Sequence, residues 1–225
     1  MEGLEVNKLI VESHNDKYFI EALLQELNII DLQIEEPLCN VYEYICLDGI
    51  GNLKNKLQNM KLDEIDKIGI ILDADKVGID NRLKEINILF KDLNIDIEFT
   101  QNNDFQKDDI NDMSVGIHIL NIDGYGELED ILYKIKIKDS IFADCLNGWK
   151  KCIEENQKEI SQKDFIKFWI NNYIRYDTCT KKEQKRISEK CNFEKAMQKD
   201  IWNYKDNVLD DLKEFLLKFK DMNNV

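Results

Sequence analysis

The stretch Ile68-Gly69-Ile70-Ile71-Leu72-Asp73-Ala74-Asp75 decides the fold of this chain. Its apolar residues run continuously instead of alternating with polar ones, which is typical of a strand buried on both faces of a parallel sheet. Two acids end the run, and Leu83, Ile86 and Phe90 then recur at helical spacing. The stretch therefore predicts a central strand, a short acidic loop and a packed helix.

Similar strand-and-helix units lie on either side of this stretch. Residues 8–12 (KLIVE) are a short apolar run that ends in an acid, and residues 16–27 follow with helical periodicity. Residues 41–47 (VYEYICL) and 115–120 (VGIHIL) are rich in β-branched or aromatic side chains, which favours two more strands. This alternation predicts an α/β fold with a mostly parallel sheet of about four strands, flanked by helices on both faces.

The rest of the chain is expected to be helical or irregular. Residues 95–99 alternate apolar and polar side chains and are interpreted as an edge strand, whereas residues 102–112 are interpreted as a polar loop. After residue 132 the apolar residues fall in helical stripes up to the end. We therefore expect an α/β domain over residues 1–137 and a helical carboxyl-terminal segment, packed on it, over residues 138–225.

Composition restricts the classes of function. No apolar run is long enough to cross a bilayer and no leader precedes the first strand, so a cytoplasmic protein without membrane contact is expected. The net charge of -14 repels nucleic acid at long range and weighs against a transcription factor, but a carboxylate site can still meet phosphate through bound cations. The six cysteines lack zinc-site spacing and are interpreted as reduced, mostly structural thiols.

Acidic residues end two of the expected strands. Glu12 and Asp73 should share the carboxyl edge of the sheet, where open α/β sheets bind their ligands. Asp75 would point the same way if its strand continued. Oxygen-only ligands of this kind suit Mg²⁺, with Mn²⁺ as a substitute. The alternative is that these acids only cap the following helices, where an anion contributes about 0.3–1 kcal/mol.

Three weaker signals surround this edge. Glu127 and Glu129 follow the last strand and are candidates for a second metal site or for an ordinary acidic helix start. Gly49 and Gly51 open a helix and could present amides to a phosphate, although a tight turn explains them too. His14 is a candidate phosphate contact or proton shuttle, with a surface loop histidine as the alternative.

A basic cluster lies in the carboxyl-terminal third. It could hold the backbone of a nucleic acid, and its alternative interpretation is a solvated helix face. The cluster is formed by Lys181, Lys182, Lys185 and Arg186.

The order of these motifs resembles the TOPRIM domain. The matching features are Val11-Glu12 after the first strand, Asp48-Gly49-Ile50-Gly51 after the second, and Leu72-Asp73-Ala74-Asp75 after the third. Residues 115–120, 126–132 and 195–216 extend the resemblance to an uncharacterised family of small stand-alone TOPRIM-related prokaryotic proteins, akin to the overcoming-lysogenization-defect (OLD) nucleases. It would cover nearly the whole chain.

The resemblance implies site residues and a function. Glu12 would be the glutamate that ligates metal or handles a proton, and Asp73 and Asp75 would be the metal ligands. A Mg²⁺-dependent nuclease acting on DNA or RNA follows, with antiphage defence as an analogy. The alternative is a catalytically silent metal-binding or interaction module that works in a complex with an ATPase partner. Ser13, which stands where the family has glycine, favours that alternative. A homo-oligomer is compatible with both functions.

Overall fold

A computed structural model describes residues 6–39 and 49–220 of the chain. These residues form two compact units, one from residues 6–39, 49–127 and 209–220 and the other from Leu128–Val208. The first unit contains the sheet and the second is helical. The domain boundary expected after residue 137 stays a prediction. The division between the two units of the structure falls after Glu127. Within the described ranges, no helix combines the length and apolar character needed to cross a membrane.

The sheet of the first unit is mixed but mostly parallel, as expected. Its described strands are β1 (Asn7–Val11), β2 (Gln33–Ile34), β3 (Lys67–Asp73), β4 (Asp104–Asp108) and β5 (Met113–Leu120), in the order β2-β1-β3-β5-β4. Strand β3 pairs in parallel with both β1 and β5, and β4 is antiparallel to β5. The predicted α/β fold with a central β3 is therefore confirmed. The strand predicted over residues 41–47 lies outside the described residues.

Helices lie between and after these strands in the sequence. In the first unit, α1 (His14–Leu27), α2 (Gly49–Asn59) and α3 (Ile79–Asp92) follow strands in the manner of crossovers. The second unit contains α4 (Leu128–Ile135), α5 (Ile141–Asp144), α6 (Leu146–Glu155), α7 (Gln162–Asn172), α8 (Lys181–Gln184), α9 (Ile187–Lys190) and α10 (Phe193–Met197). A π-helical turn, Tyr173–Thr178, extends α7, and α11 (Asp210–Leu217) belongs to the first unit.

The edge strand of the sheet is not where the alternating pattern predicted it. Residues 95–99 form no strand, and the edge strand beside β5 is β4, inside the expected polar loop. Ile95, Ile97 and Phe99 alternate because they are buried in the core beside α3, not because they pair in a ladder. The Asn87 side chain bonds both the amide and the carbonyl of Phe99, at 2.9 and 2.8 Å, and so satisfies this extended segment without a neighbouring strand.

Helix α11 returns to the sheet and covers part of one face. The Phe215 ring lies 5.0 Å from the Phe105 ring of β4 and 5.5 Å from the His118 ring of β5. A Cβ atom at Gly69 would lie 2.6 Å from the Phe219 ring, so glycine in the decisive strand lets this aromatic cluster approach the sheet.

The cysteines depart from the expected reduced state. Cys179 and Cys191 form a disulfide, Cys39 is also disulfide-bonded, and Cys145 and Cys152 are free and exposed. The Cα atoms of Cys179 and Cys191 are 6.0 Å apart, a separation that a disulfide spans easily. Their spacing of 12 residues carried no sequence signal, because the approach depends on how the short helices between them fold.

Candidate metal centre at the carboxyl edge of the sheet

Glu12 and Asp73 meet at the carboxyl edge of the sheet. Val11 pairs with Ile71 in the parallel register of β1 and β3, so both acids lie just beyond that pair. The Oε2 atom of Glu12 accepts a hydrogen bond from the Asp73 backbone amide at 3.3 Å. Both residues are partly buried. The structure thus brings together two acids that are 61 residues apart in sequence.

Asp75 lies in a turn beyond the end of strand β3. Strand β3 ends at Asp73, and Asp75 has a φ of 50°, in the left-handed region that an extended strand does not use. Its amide and carbonyl exchange hydrogen bonds with Gly126, at 2.8 and 2.9 Å. The condition under which Asp75 would point the same way as Asp73, a strand that continues to Asp75, is therefore not met, because the chain turns to pair with the segment after β5.

Glu127 is next in sequence to the residue that pairs with Asp75. Glu127 directly follows Gly126 and is almost fully buried, with 3% of its surface exposed. Glu129 lies in the first turn of α4 and belongs to the second unit. Of the two glutamates predicted for a second metal site, Glu127 is thus the one in the same unit as Glu12, Asp73 and Asp75.

Arg82 is a residue of this edge that the sequence interpretation missed. It lies in the first turns of α3, and its Nη2 donates to Asp75 Oδ2 at 2.9 Å. Its Nε donates to the Asp73 carbonyl at 3.0 Å, and its Nη1 donates to Glu85 Oε2 at 2.8 Å. A positive charge near a helix amino terminus is unfavourable because it faces the positive end of the helix dipole. The unfavourable position of Arg82 was therefore a sequence signal that this arginine has a specific acidic partner.

Ser13 has a structural role that explains its place after Glu12. It is the N-cap of α1, with an extended backbone at φ -129°, so the position does not require glycine. Its hydroxyl accepts from the Asp16 amide, and Asp16 Oδ2 accepts from the Ser13 amide at 2.8 Å, which completes a capping box. His14 begins α1, and its ring lies 6.3 Å from that of Tyr18.

The remaining predicted site residues lie on helices. Gly49 and Gly51 are in the first turn of α2, as the sequence predicted, and their phosphate role stays a prediction. Lys181 and Lys182 begin α8 in the second unit, and Lys185 and Arg186 follow that helix. The four basic residues of this cluster are exposed, and Arg186 pairs with Glu189. Their role in binding nucleic acid also stays a prediction.

The donor chemistry of this edge suits Mg²⁺, but the arrangement is not that of a preformed metal cage. Glu12, Asp73, Asp75 and Glu127 offer only carboxylate oxygens, which Mg²⁺ prefers. Across residues 6–39 and 49–220, no three His, Cys, Asp or Glu side chains are grouped closely enough to hold a metal ion. The Asp75 carboxylate is instead engaged by Arg82.

Comparisons with known proteins identify the family. Two solved structures of OLD protein C-terminal regions match over most of the chain. The one from Xanthomonas campestris pv. campestris is 12% identical, with a TM-score of 0.43 and coverage of 95% of this chain and 93% of the other. The one from Burkholderia pseudomallei is 14% identical, with a TM-score of 0.38 and coverage of 96% and 98%. No curated protein matches. The family described as "Protein of unknown function (DUF3226)" matches residues 6–221, and the chain therefore belongs to that family.

Proposed function

We propose that this chain is a TOPRIM-like, Mg²⁺-dependent phosphodiester-processing protein, and specifically a nuclease that acts on DNA or RNA. One observation carries the proposal: Glu12 and Asp73, which end neighbouring parallel strands, meet through the 3.3 Å bond from the Asp73 amide. Acids at the carboxyl edge of an open parallel sheet stand where such folds bind their ligands. The motif order that resembles TOPRIM supports the same assignment of these acids.

The proposed roles follow from the chemistry of each side chain. Asp73 and Asp75 would hold the metal, Glu12 would ligate it or take a proton, and Glu127 would contribute a further carboxylate. A bound Mg²⁺ supplies charge stabilisation to a phosphoryl oxygen and activates water. The partly buried hydrogen bond from the Asp73 amide holds the Glu12 carboxylate at the same edge as Asp73, as a shared metal site requires.

The Arg82–Asp75 ion pair favours a second candidate function. A guanidinium 2.9 Å from Asp75 neutralises one of the proposed ligands. The candidate is a catalytically silent module of the same fold that acts within a complex, with an ATPase as partner. It differs from the nuclease in one measurable respect, since the purified chain would cut no substrate in any divalent cation.

The test is cleavage of supercoiled plasmid, single-stranded DNA and RNA by the purified full chain in Mg²⁺ or Mn²⁺. We expect cutting that EDTA abolishes and that Glu12→Gln and Asp73→Asn each reduce by roughly a hundredfold or more, because each removes a charge at the reacting edge.

Asp96→Asn is the matched control. Asp96 is an exposed acid in the same unit, so this variant loses one charge without touching the edge and should cut like the wild type. Activity that survives in both Glu12→Gln and Asp73→Asn would exclude the proposed site. A wild type that cuts nothing in either metal would favour the silent module.

A further inference from the structure

Arg82 is held at three points around the loop that follows β3. Its Nε, Nη1 and Nη2 atoms donate to the Asp73 carbonyl, Glu85 and Asp75, respectively. Only 13% of the Arg82 side chain is exposed, against 23% of Asp75 and 40% of Glu85. The contact with Asp75 is therefore the more shielded of the two ion pairs, and solvent screens it less.

In this geometry, the Arg82 guanidinium competes with any cation that binds the Asp75 carboxylate. A guanidinium stays charged throughout the pH range of proteins, so it does not leave by losing a proton. A divalent cation that binds the Asp75 carboxylate must then take over the oxygen bonded by Nη2 or bind beside a fixed positive charge. Either way, Arg82 opposes the cation.

We propose that Arg82 is a built-in competitor of divalent cations at Asp75, so that metal binding requires the guanidinium to release this carboxylate. The inference rests on the proposed metal-dependent function and adds a residue that sets the metal affinity of its site. The release is limited in extent, because the Asp73 carbonyl and Glu85 still accept hydrogen bonds from Nε and Nη1 after Asp75 leaves.

The first experiment measures metal binding without any substrate. The full chain is titrated with Mn²⁺, and free Mn²⁺ is followed by its electron paramagnetic resonance signal. Arg82→Gln should bind Mn²⁺ at least about tenfold more tightly than the wild type, because a positive charge next to the ligand is removed. A supporting role for Arg82 in holding Asp75 in place would produce the opposite change.

Two variants make the comparison specific. Lys84→Gln removes one positive charge from an exposed position of the same helix and should change the affinity by less than about twofold, since exposed charges are screened. Adding Asp75→Asn to Arg82→Gln should abolish the gain. Equal or weaker binding by Arg82→Gln, or a gain that persists without the Asp75 carboxylate, overturns the inference.

A second measurement uses the unaltered protein and so does not depend on how a variant folds. The chain has three arginines, Arg82, Arg175 and Arg186, so its Nε–H nuclear magnetic resonance signals can be assigned. Mg²⁺ should shift the Arg82 signal and leave the other two unchanged. An Arg82 signal that stays constant at saturating Mg²⁺ contradicts the inference. Failure of the nuclease proposal would appear separately, as metal binding with this response but without cleavage.

Discussion

At the scale of single residues, Ser13 shows how a departure from a motif that the sequence resembles can have a simple local cause. The sequence Ser13-His14-Asn15-Asp16 has the capping-box spacing, and both hydrogen bonds of a capping box are present in the structure. Helix α1 begins at His14, about half a turn before the start expected near Asp16. The expectation missed this start because it treated Ser13 as a replacement of glycine and not as a helix N-cap. Its extended backbone gives glycine no advantage here.

Replacing the cap should weaken α1 by a measurable amount. Ser13→Ala removes the oxygen that accepts from the Asp16 amide, and we expect the free energy of unfolding to fall by about 0.5–2 kcal/mol. Ser13→Gly should cost only a few tenths of a kcal/mol. Urea unfolding followed by far-ultraviolet circular dichroism measures both.

Ser188→Ala is the control for this comparison. It makes the same change at an exposed position inside α9 and should leave stability within about 0.5 kcal/mol. If Ser13→Ala were as stable as Ser188→Ala, the capping box would contribute nothing to the folded state.

At the scale of elements, the second unit depends on a link that sequence patterns did not indicate. The Cys179–Cys191 disulfide joins the end of the π-helical turn to the end of α9 and encloses the basic cluster of Lys181, Lys182, Lys185 and Arg186. Helix α8 in between has its own capping box, from Thr180 and Glu183. The hydrogen bond from Lys199, together with those from the Thr180 amide and hydroxyl, lowers the pKa of the Glu183 carboxyl to about 2.

Loss of this disulfide should destabilise the second unit. We expect Cys191→Ser to lower the free energy of unfolding of this unit by about 2–4 kcal/mol. Without the disulfide, the unfolded chain regains the conformational entropy that the closed loop had removed. All three tryptophans, Trp149, Trp169 and Trp202, belong to this unit, so their fluorescence reports on its unfolding.

Cys152→Ser is the matched control, since Cys152 is free and exposed, and it should change stability by less than about 0.5 kcal/mol. Alkylation without reductant, followed by mass spectrometry, should label Cys145 and Cys152 and leave Cys179 and Cys191 unlabelled. Full labelling of Cys179 and Cys191 in the folded protein would contradict the disulfide.

At the scale of the whole molecule, the first unit takes its final helix from the far end of the chain. Helix α11 places Phe215 against His118 of β5, and Lys67 donates to the Lys218 carbonyl at 2.8 Å just after that helix. Burial, with a smaller contribution from the charge of Lys218, lowers the pKa of His118 from 6.5 to about 3. This histidine is thus neutral in the folded protein at neutral pH.

The buried His118 should make stability depend on pH. The pKa of His118 is lower in the folded than in the unfolded state. The contribution of the neutral histidine to the free energy of unfolding is therefore fully present above pH 6.5 and is lost as pH falls towards 3. Between pH 7 and 4.5 the free energy of unfolding of the wild type should fall by on the order of 2 kcal/mol more than that of His118→Gln, because glutamine does not titrate.

Urea unfolding of the two proteins at both pH values measures this difference. The carboxylates titrate alike in both proteins, so their contribution cancels in the comparison. Equal losses in the wild type and in His118→Gln would mean that folding does not lower the pKa of His118 and would contradict the prediction.

The amino-acid sequence by itself determined the fold class, the central strand and the meeting of Glu12 with Asp73. These features follow from local periodicity and from the common direction of parallel strands, which sends their carboxyl ends to one edge. Only the tertiary structure decided that Asp75 faces Arg82, that β4 and not residues 95–99 forms the sheet edge, and that α11 returns to the sheet. Each of these depends on which residues meet after the chain has turned, and local sequence patterns do not encode such contacts.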